Sequence, residues 1–163
     1  MKLFLMRHAS AEISIDKRDF DRILTKNGQY ETENAADFLC NYSIDKLIVS
    51  YAKRTMQTSY IIQKQMSLGK VEIVEELYKQ NCEKIIDLLS MQENKFKSVL
   101  IIGHNPHIYD LILEFAQHNT KEYAYLLETT MPPARIVVIN FPNIHNWQDI
   151  RNTKGKIEEI FTP

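Results

Sequence analysis

Three short stretches of this chain carry residue types that could do chemistry together: Arg7-His8 near the start, Ser50 with Arg54, and Gly103-His104. Each follows a brief apolar run, namely Leu3-Phe4-Leu5-Met6, Leu47-Ile48-Val49 and Val99-Leu100-Ile101-Ile102. Such a run bounded by polar residues reads as a strand of a parallel sheet buried on both faces. In open α/β sheets ligands bind beyond the carboxyl ends of the strands. Parallel neighbouring strands would therefore gather two His and two Arg at one edge of the sheet. Neutral imidazole is a competent nucleophile toward phosphorus and can carry a phosphoryl group covalently. Arginine stays charged, and its planar fork fits two phosphate oxygens at once. A second His can donate a hydrogen bond to the phosphoryl group or stabilise its transition-state charge. This is a set for phosphoryl transfer, which needs little beyond positioning and charge stabilisation.

The elements that must position these residues can be read in order. Lys2 to Met6 is the first strand, followed by a long polar connection from Ser10 to Lys26. Its charged middle, Asp16-Lys17-Arg18-Asp19, reads as a solvated loop. Thr25 is a suitable N-cap for a helix reaching Leu39, with Thr32, Ala35, Ala36, Leu39 and Cys40 inward. Lys46–Ser50 is a second strand, and a helix follows from near Lys53 to Met66. Val71–Val74 is a weaker strand, and Glu83 to Met91 a helix with Ile85, Leu88 and Leu89 inward. After the strongest strand, Ser98–Ile102, Asn105 reads as an N-cap and Pro106 as the first helical residue. That helix would aim free N–H groups and its positive end at the same point as the His and Arg side chains. Its buried stripe is Ile108, Leu111, Ile112, Phe115 and Ala116. Ile136–Ile139 and Lys156–Ile160 are last strands that add an antiparallel edge. The alternation predicts a three-layer α/β/α sandwich with a mostly parallel central sheet.

Composition narrows the function classes. The 163 residues are 44% hydrophobic and 25% charged, as in an ordinary soluble globular protein, and are read as a single domain, 1–163. The formal net charge of -1 gives no footprint for nucleic acid or a membrane surface. Cys40 and Cys82 have neither CxxC spacing nor paired His at zinc-ligand distances, and are read as core or half-buried thiols. No metal cluster or cofactor fingerprint is seen. The apolar run ending at Arg7 is too short for a secretory leader, and no run approaches the ~20 residues of a membrane span, so the expected compartment is the cytoplasm.

Arg7-His8-Ala9 at the end of a first strand resembles the signature of the histidine phosphatase (phosphoglycerate mutase-like) superfamily. Ser50-x-x-x-Arg54-Thr55-x-x-Thr58 resembles its second-arginine motif, with Tyr51 where that motif usually has Pro, and Gly103-His104 its second-histidine motif. Within the superfamily the chain most resembles SixA-type phosphohistidine phosphatases. The matching pieces are Ala11-Glu12, Arg22-x-Leu24-Thr25-x-x-Gly28, Glu76-Leu77-Tyr78, Gly103-His104-Asn105-Pro106 and Trp147…Gly155-Lys156. The resemblance implies His8 as the phosphorylated nucleophile, with Arg7, Arg54 and His104 completing the phosphate pocket. Arg22 would add a cation or shape the entrance, and Asn105 would contribute to binding. It implies a metal-independent phosphatase acting on a phosphohistidine-bearing protein in signal transduction, a phosphotransfer domain or phosphocarrier, with phosphate or sulfate able to occupy the site.

One departure bears on substrate. Larger superfamily members place a general acid after the third strand in a Leu-x-Glu pattern, whereas this chain reads Leu77-Tyr78-Lys79. Glu76 and Glu83 are nearby but out of register. An alkoxide leaving group needs a general acid, whereas imidazole leaves phosphorus far more easily. The missing acid thus favours phosphohistidine over phosphate monoesters. The competing readings are a general phosphomonoesterase, which an in-register acid would favour, and a non-catalytic phosphate-binding module, which loss of a pocket residue would favour. A mutase fits less well, because mutases carry long insertions. His107, His118 and His145 lack motif context and are read as surface or supporting residues; Tyr51 and Tyr78 either line the pocket mouth or pack in the core, and Glu12 either belongs to the rim or is simply exposed.

Overall fold

Continuous apolar runs end up as strands covered on both faces. The computed structural model describes residues 1–13, 15–79 and 81–163, apart from the side chain of Glu76. Its strands are β1 (Lys2–Arg7), β2 (Lys46–Ser50), β3 (Lys70–Val74), β4 (Ser98–Gly103), β5 (Ile136–Asn140) and β6 (Lys156–Phe161). They form one six-stranded sheet in the order β3-β2-β4-β1-β5-β6. The first four in that order run parallel; β5 pairs antiparallel with β1, and β6 pairs antiparallel with β5. Within β1, Leu3 and Leu5 face one side while Phe4 and Met6 face the other, and all four are fully buried.

The helices are α1 (Lys26–Leu39), α2 (Lys53–Gln65), α3 (Glu76–Lys79), α4 (Cys82–Ser90), α5 (His107–Phe115) and α6 (Lys121–Thr129). Ala35, Ala36 and Leu39 of α1 and Ile62 of α2 pack with Phe4, Met6, Val49 and Ile102 on one face of the sheet. Ile85 and Leu89 of α4, Leu111 and Phe115 of α5 and Leu126 of α6 pack with Leu3, Leu5, Ile101 and Val137 on the other. This is the three-layer α/β/α arrangement that the strand and helix periodicities predict. Trp147 lies fully buried in the second cluster and donates its indole N–H to the Phe96 carbonyl at 2.7 Å.

Local differences from expectation have clear causes. Cys40 is exposed; it is the cap residue just past the end of α1 at Leu39. Asn105 does not cap α5: the helix begins at His107, and Asn105 instead donates its side-chain amide to the Met131 carbonyl at 2.9 Å. Thr25 does cap α1, accepting from the Gly28 N–H at 3.0 Å. Helices α3 and α6 add to the elements read from periodicity; both are short, and α6 buries only Leu126.

Candidate active site

Sheet register brings the two histidines together. Arg7 pairs with Gly103 across the parallel β1–β4 ladder, and the His8 N–H donates to the Gly103 carbonyl at 3.0 Å. His8 and His104 therefore leave adjacent strands side by side, with ring centroids 5.1 Å apart. Ser50 ends β2 on the other side of β4, and α2 starts three residues later, which makes Arg54 the second residue of that helix, in its first turn. Thr55 Oγ1 donates to the carbonyls of Ser50 and Ala52, tightening this turn, since Ala52 offers no side-chain cap. Thr58 Oγ1 accepts from the Ala9 N–H at 3.3 Å and so ties α2 to the segment after β1. The spacing of Ser50, Arg54, Thr55 and Thr58 thus has a separate physical reason at each position.

Arg54 is 5% exposed and bridges the two rings. Its Nε–H donates to His8 Nε2 and an Nη2–H to His104 Nδ1, both at 3.2 Å. The opposite ring nitrogens are also fixed. His8 Nδ1 lies 2.7 Å from the Ala9 carbonyl, which can only accept, so Nδ1 carries the proton and Nε2 presents its lone pair. Arginine can only donate, so His104 Nδ1 is likewise an acceptor and His104 Nε2–H donates to Ser50 Oγ at 2.9 Å. Burial, reinforced by the guanidinium charges, pushes the His8 pKa down to about 4 despite the Ala9 hydrogen bond. Burial, His8 and Arg54 push that of His104 down to about 3. Both rings are therefore neutral around pH 7.

Arg7 is held from the far side of the sheet. Its Nη1–H donates to the Met131 carbonyl at 2.9 Å, the same oxygen that takes the Asn105 amide. The turn supplying this carbonyl has Thr130 and Ala134 at φ 57°, and the Ala134 N–H donates to the His8 carbonyl at 3.2 Å. Arg7 Nε is buried and lacks a hydrogen-bond partner among the described residues. An oxyanion oxygen would satisfy it.

The charged stretch Asp16–Asp19 is exposed, as its charge pattern suggests, but one of its residues also reaches the site. Asp19, in a 3₁₀ turn over Asp19–Asp21, sends its Oδ2 to within 2.9 Å of Arg54 Nη2, and its carbonyl accepts from Arg54 Nη1 at 2.6 Å. Tyr78 OH donates to the same Oδ2 at 2.9 Å, and Arg22 Nη1 donates to Oδ1 at 2.7 Å. These partners outweigh partial desolvation and hold the Asp19 carboxyl well below the usual carboxylate range. Phe20 packs on Tyr51 at 4.3 Å and edge-on to Tyr78 at 5.9 Å, forming an aromatic collar at the mouth. Arg22 also donates its Nε–H to the Glu12 carbonyl at 2.6 Å, so it clamps the connection as well as facing Asp19.

The acid candidates divide differently. Lys79 is exposed and paired with Glu75 at 2.6 Å, and Glu83 lies 3.6 Å from Arg151. The side chain of Glu76 lies outside the described residues. His118 packs beside Tyr123, His145 is exposed, and His107 is partly buried and near enough to His104 to help lower its pKa. Asp19 and Met131 are the contacts that the motifs did not identify; Ser50 belongs to a motif, and its Oγ is the partner of His104 Nε2. No sequence signal marked Asp19: the i, i+3 spacing of Asp19 and Arg22 announces their own ion pair and not the contact with Arg54. Among the described residues there is no group of three or more His, Cys, Asp and Glu that could hold a metal ion, and no helix long and apolar enough to cross a membrane.

A sheet edge carrying paired His and Arg side chains defines an α/β fold of the phosphoglycerate mutase-like kind, and residues 3–97 match the model of the histidine phosphatase superfamily (branch 1). The chain belongs to that superfamily. Its fold is similar to that of a Nakamurella multipartitia chain assigned as a phosphohistidine phosphatase, SixA, at TM-score 0.86 and 24% identity, covering 99% of this chain and 95% of that one. It is also similar to the protein histidine phosphatase SixA complexed with tungstate (TM-score 0.81, 23% identity, 100% and 97% covered). A more distant likeness is mycobacterial glucosyl-3-phosphoglycerate phosphatase (TM-score 0.68, 11% identity, 96% of each chain). No curated protein matches the chain by sequence.

Proposed function

We propose that the protein is a phosphohistidine phosphatase that works through a phosphorylated His8. The observation that carries this reading is the His8 ring: its Nδ1–H is tied to the Ala9 carbonyl, and its Nε2 lone pair faces the Arg54 guanidinium. In the first step a new bond forms between phosphorus and His8 Nε2 as the substrate P–N bond breaks. The leaving imidazole takes its proton from solvent. Arg54 Nε–H, released from Nε2, turns to a phosphoryl oxygen, and the unpaired Arg7 Nε–H supplies a second donor. In the second step water attacks phosphorus and the P–Nε2 bond breaks, returning neutral His8. Once Arg54 Nη2–H turns from His104 Nδ1 to the phosphoryl group, that lone pair, oriented by the Nε2–H···Ser50 Oγ hydrogen bond, is free to take the water proton.

The substrate preference follows from the carboxylates. Asp19 is the carboxylate seen against Arg54, and it is ionised, so it has no proton to give an alkoxide. Imidazole needs no such acid. A phosphohistidine-bearing partner protein is therefore the favoured substrate, and Arg22 and Asn105 act on the pocket through the Asp19 and Met131 contacts. Tungstate in the SixA relative is consistent with a pocket that takes tetrahedral oxyanions. The test is to mix the protein with a labelled phosphohistidine protein, quench within a turnover, and map the label. Acid-labile, base-stable phosphate on His8 supports the reading; turnover with label on another residue, or with none on the protein, overturns it.

A further inference from the structure

We infer that Asp19 is a specificity-determining residue, an internal carboxylate that competes with bound phosphate for Arg54 and sets the affinity of the site for oxyanions. This rests on reading Arg54 as a phosphate-binding group. All three nitrogens of its guanidinium are committed: Nε to His8, Nη1 to the Asp19 carbonyl, and Nη2 to Asp19 Oδ2 and His104. An arriving phosphoryl group that uses Arg54 as a fork must displace at least one of these. Phosphorylation of Nε2 itself frees Nε–H. The second prong of the fork is then Nη2, where Asp19 Oδ2 sits.

The mobile member of this pair is Asp19. The Arg54 side chain is 6% exposed and fixed between two buried rings, whereas that of Asp19 is 52% exposed. The carboxylate can swing to solvent while keeping Arg22, whose Nη1 holds the other oxygen. Tyr78 OH and the packing of Phe20 on Tyr51 and Tyr78 bring the carboxylate back. A carboxylate carries one negative charge and two oxygens, so a phosphoryl dianion displaces it and a weaker anion does so less well. Once the phosphoryl group has been hydrolysed, the returning carboxylate favours departure of inorganic phosphate.

The alternative part for the same contacts is to orient Arg54 for phosphate, and the two predict opposite signs. The experiment titrates inorganic phosphate into the full chain by calorimetry, for wild type, Asp19→Asn, Asp19→Ala and Tyr78→Phe, with thermal melts confirming folding. Asp19→Asn and Asp19→Ala are expected to bind phosphate three- to tenfold tighter, roughly the span of one charge-assisted contact at a half-exposed site. Tyr78→Phe is expected to shift affinity in the same direction by less. Equal, weaker or undetectable binding in folded Asp19→Asn overturns the inference. Arg54→Ala separates the two levels: if it binds phosphate as well as wild type does, the reading of Arg54 itself fails.

Discussion

Arg54 Nε and His8 Nε2 lie 3.2 Å apart, so the cation that would receive a phosphoryl oxygen already donates to the nitrogen that would receive phosphorus. The same guanidinium reaches His104 Nδ1 at 3.2 Å. One planar side chain thereby aligns two rings that come from different strands. Lysine cannot reproduce this, because a point charge on a flexible stem cannot serve both rings with a fixed fork. Arg54→Lys is expected to lower the rate of His8 phosphorylation by about 10²- to 10³-fold. Single-turnover kinetics on a phosphohistidine protein checks this, and a loss under about threefold would contradict it.

Acid should weaken the fold through the buried rings. The His8 pKa is held at about 4 and that of His104 at about 3, below the ordinary value of 6.5. The unfolded chain therefore binds more protons than the folded one across this window. Stability from the neutral rings is fully present above pH 6.5 and is lost as pH falls toward 4. Each pKa unit is worth ~1.4 kcal/mol, so the loss is on the order of a few kcal/mol. Denaturant titrations between pH 7 and 4.5 should show it, and His104→Asn should flatten the slope. An unchanged slope in that variant would contradict the assignment.

A helix rule should fail at Gly28. Exchanging Gly for Ala inside a helix ordinarily stabilises by about 1 kcal/mol. Here a Cβ would meet the Ser10 carbonyl oxygen at 2.0 Å, and that same oxygen accepts from the Thr25 N–H. Gly28→Ala is expected to destabilise by roughly 1–3 kcal/mol. A raised melting temperature would show that the Ser10–Thr25 contact is not fixed as described.

Leaving-group dependence should test whether a proton donor serves the site. Lys79 is turned to Glu75, and Asp19 is held ionised by Arg22, Tyr78 and Arg54. Aryl phosphates, whose leaving groups need little help, should be cleaved far faster than alkyl phosphates such as phosphoserine peptides. Comparable rates for the two classes would mean that a protonated acid serves the site.

Much of this was legible in the chain. β1, β2 and β4 are buried on both faces, so their apolar runs are unbroken, and the polar residues that end them mark the sheet edge. Register then sets His8 beside His104, and the short turn from β2 into α2 brings Arg54 to them, which is why motif residues far apart in sequence could be grouped. Asp19 was not legible, because a charged loop residue has the same sequence appearance in water or against an arginine; only the fold reveals the Arg54 contact. Asn105 misled for a related reason. It has the right type for a cap, but α5 begins one residue later than its pattern suggests, with Pro106 at the cap position, and the Asn105 amide donates to the Met131 carbonyl. The α6–β5 turn that supplies that carbonyl depends on φ 57° at Thr130 and Ala134, residues whose types do not announce it.

The most direct test of the central claim compares phosphate release from a phosphohistidine protein and from an aryl phosphate, by wild type and His8→Ala. The account predicts a strong preference of the wild type for phosphohistidine and no activity of folded His8→Ala on either substrate. Equal or faster cleavage of the ester, or retained activity in His8→Ala, would contradict it.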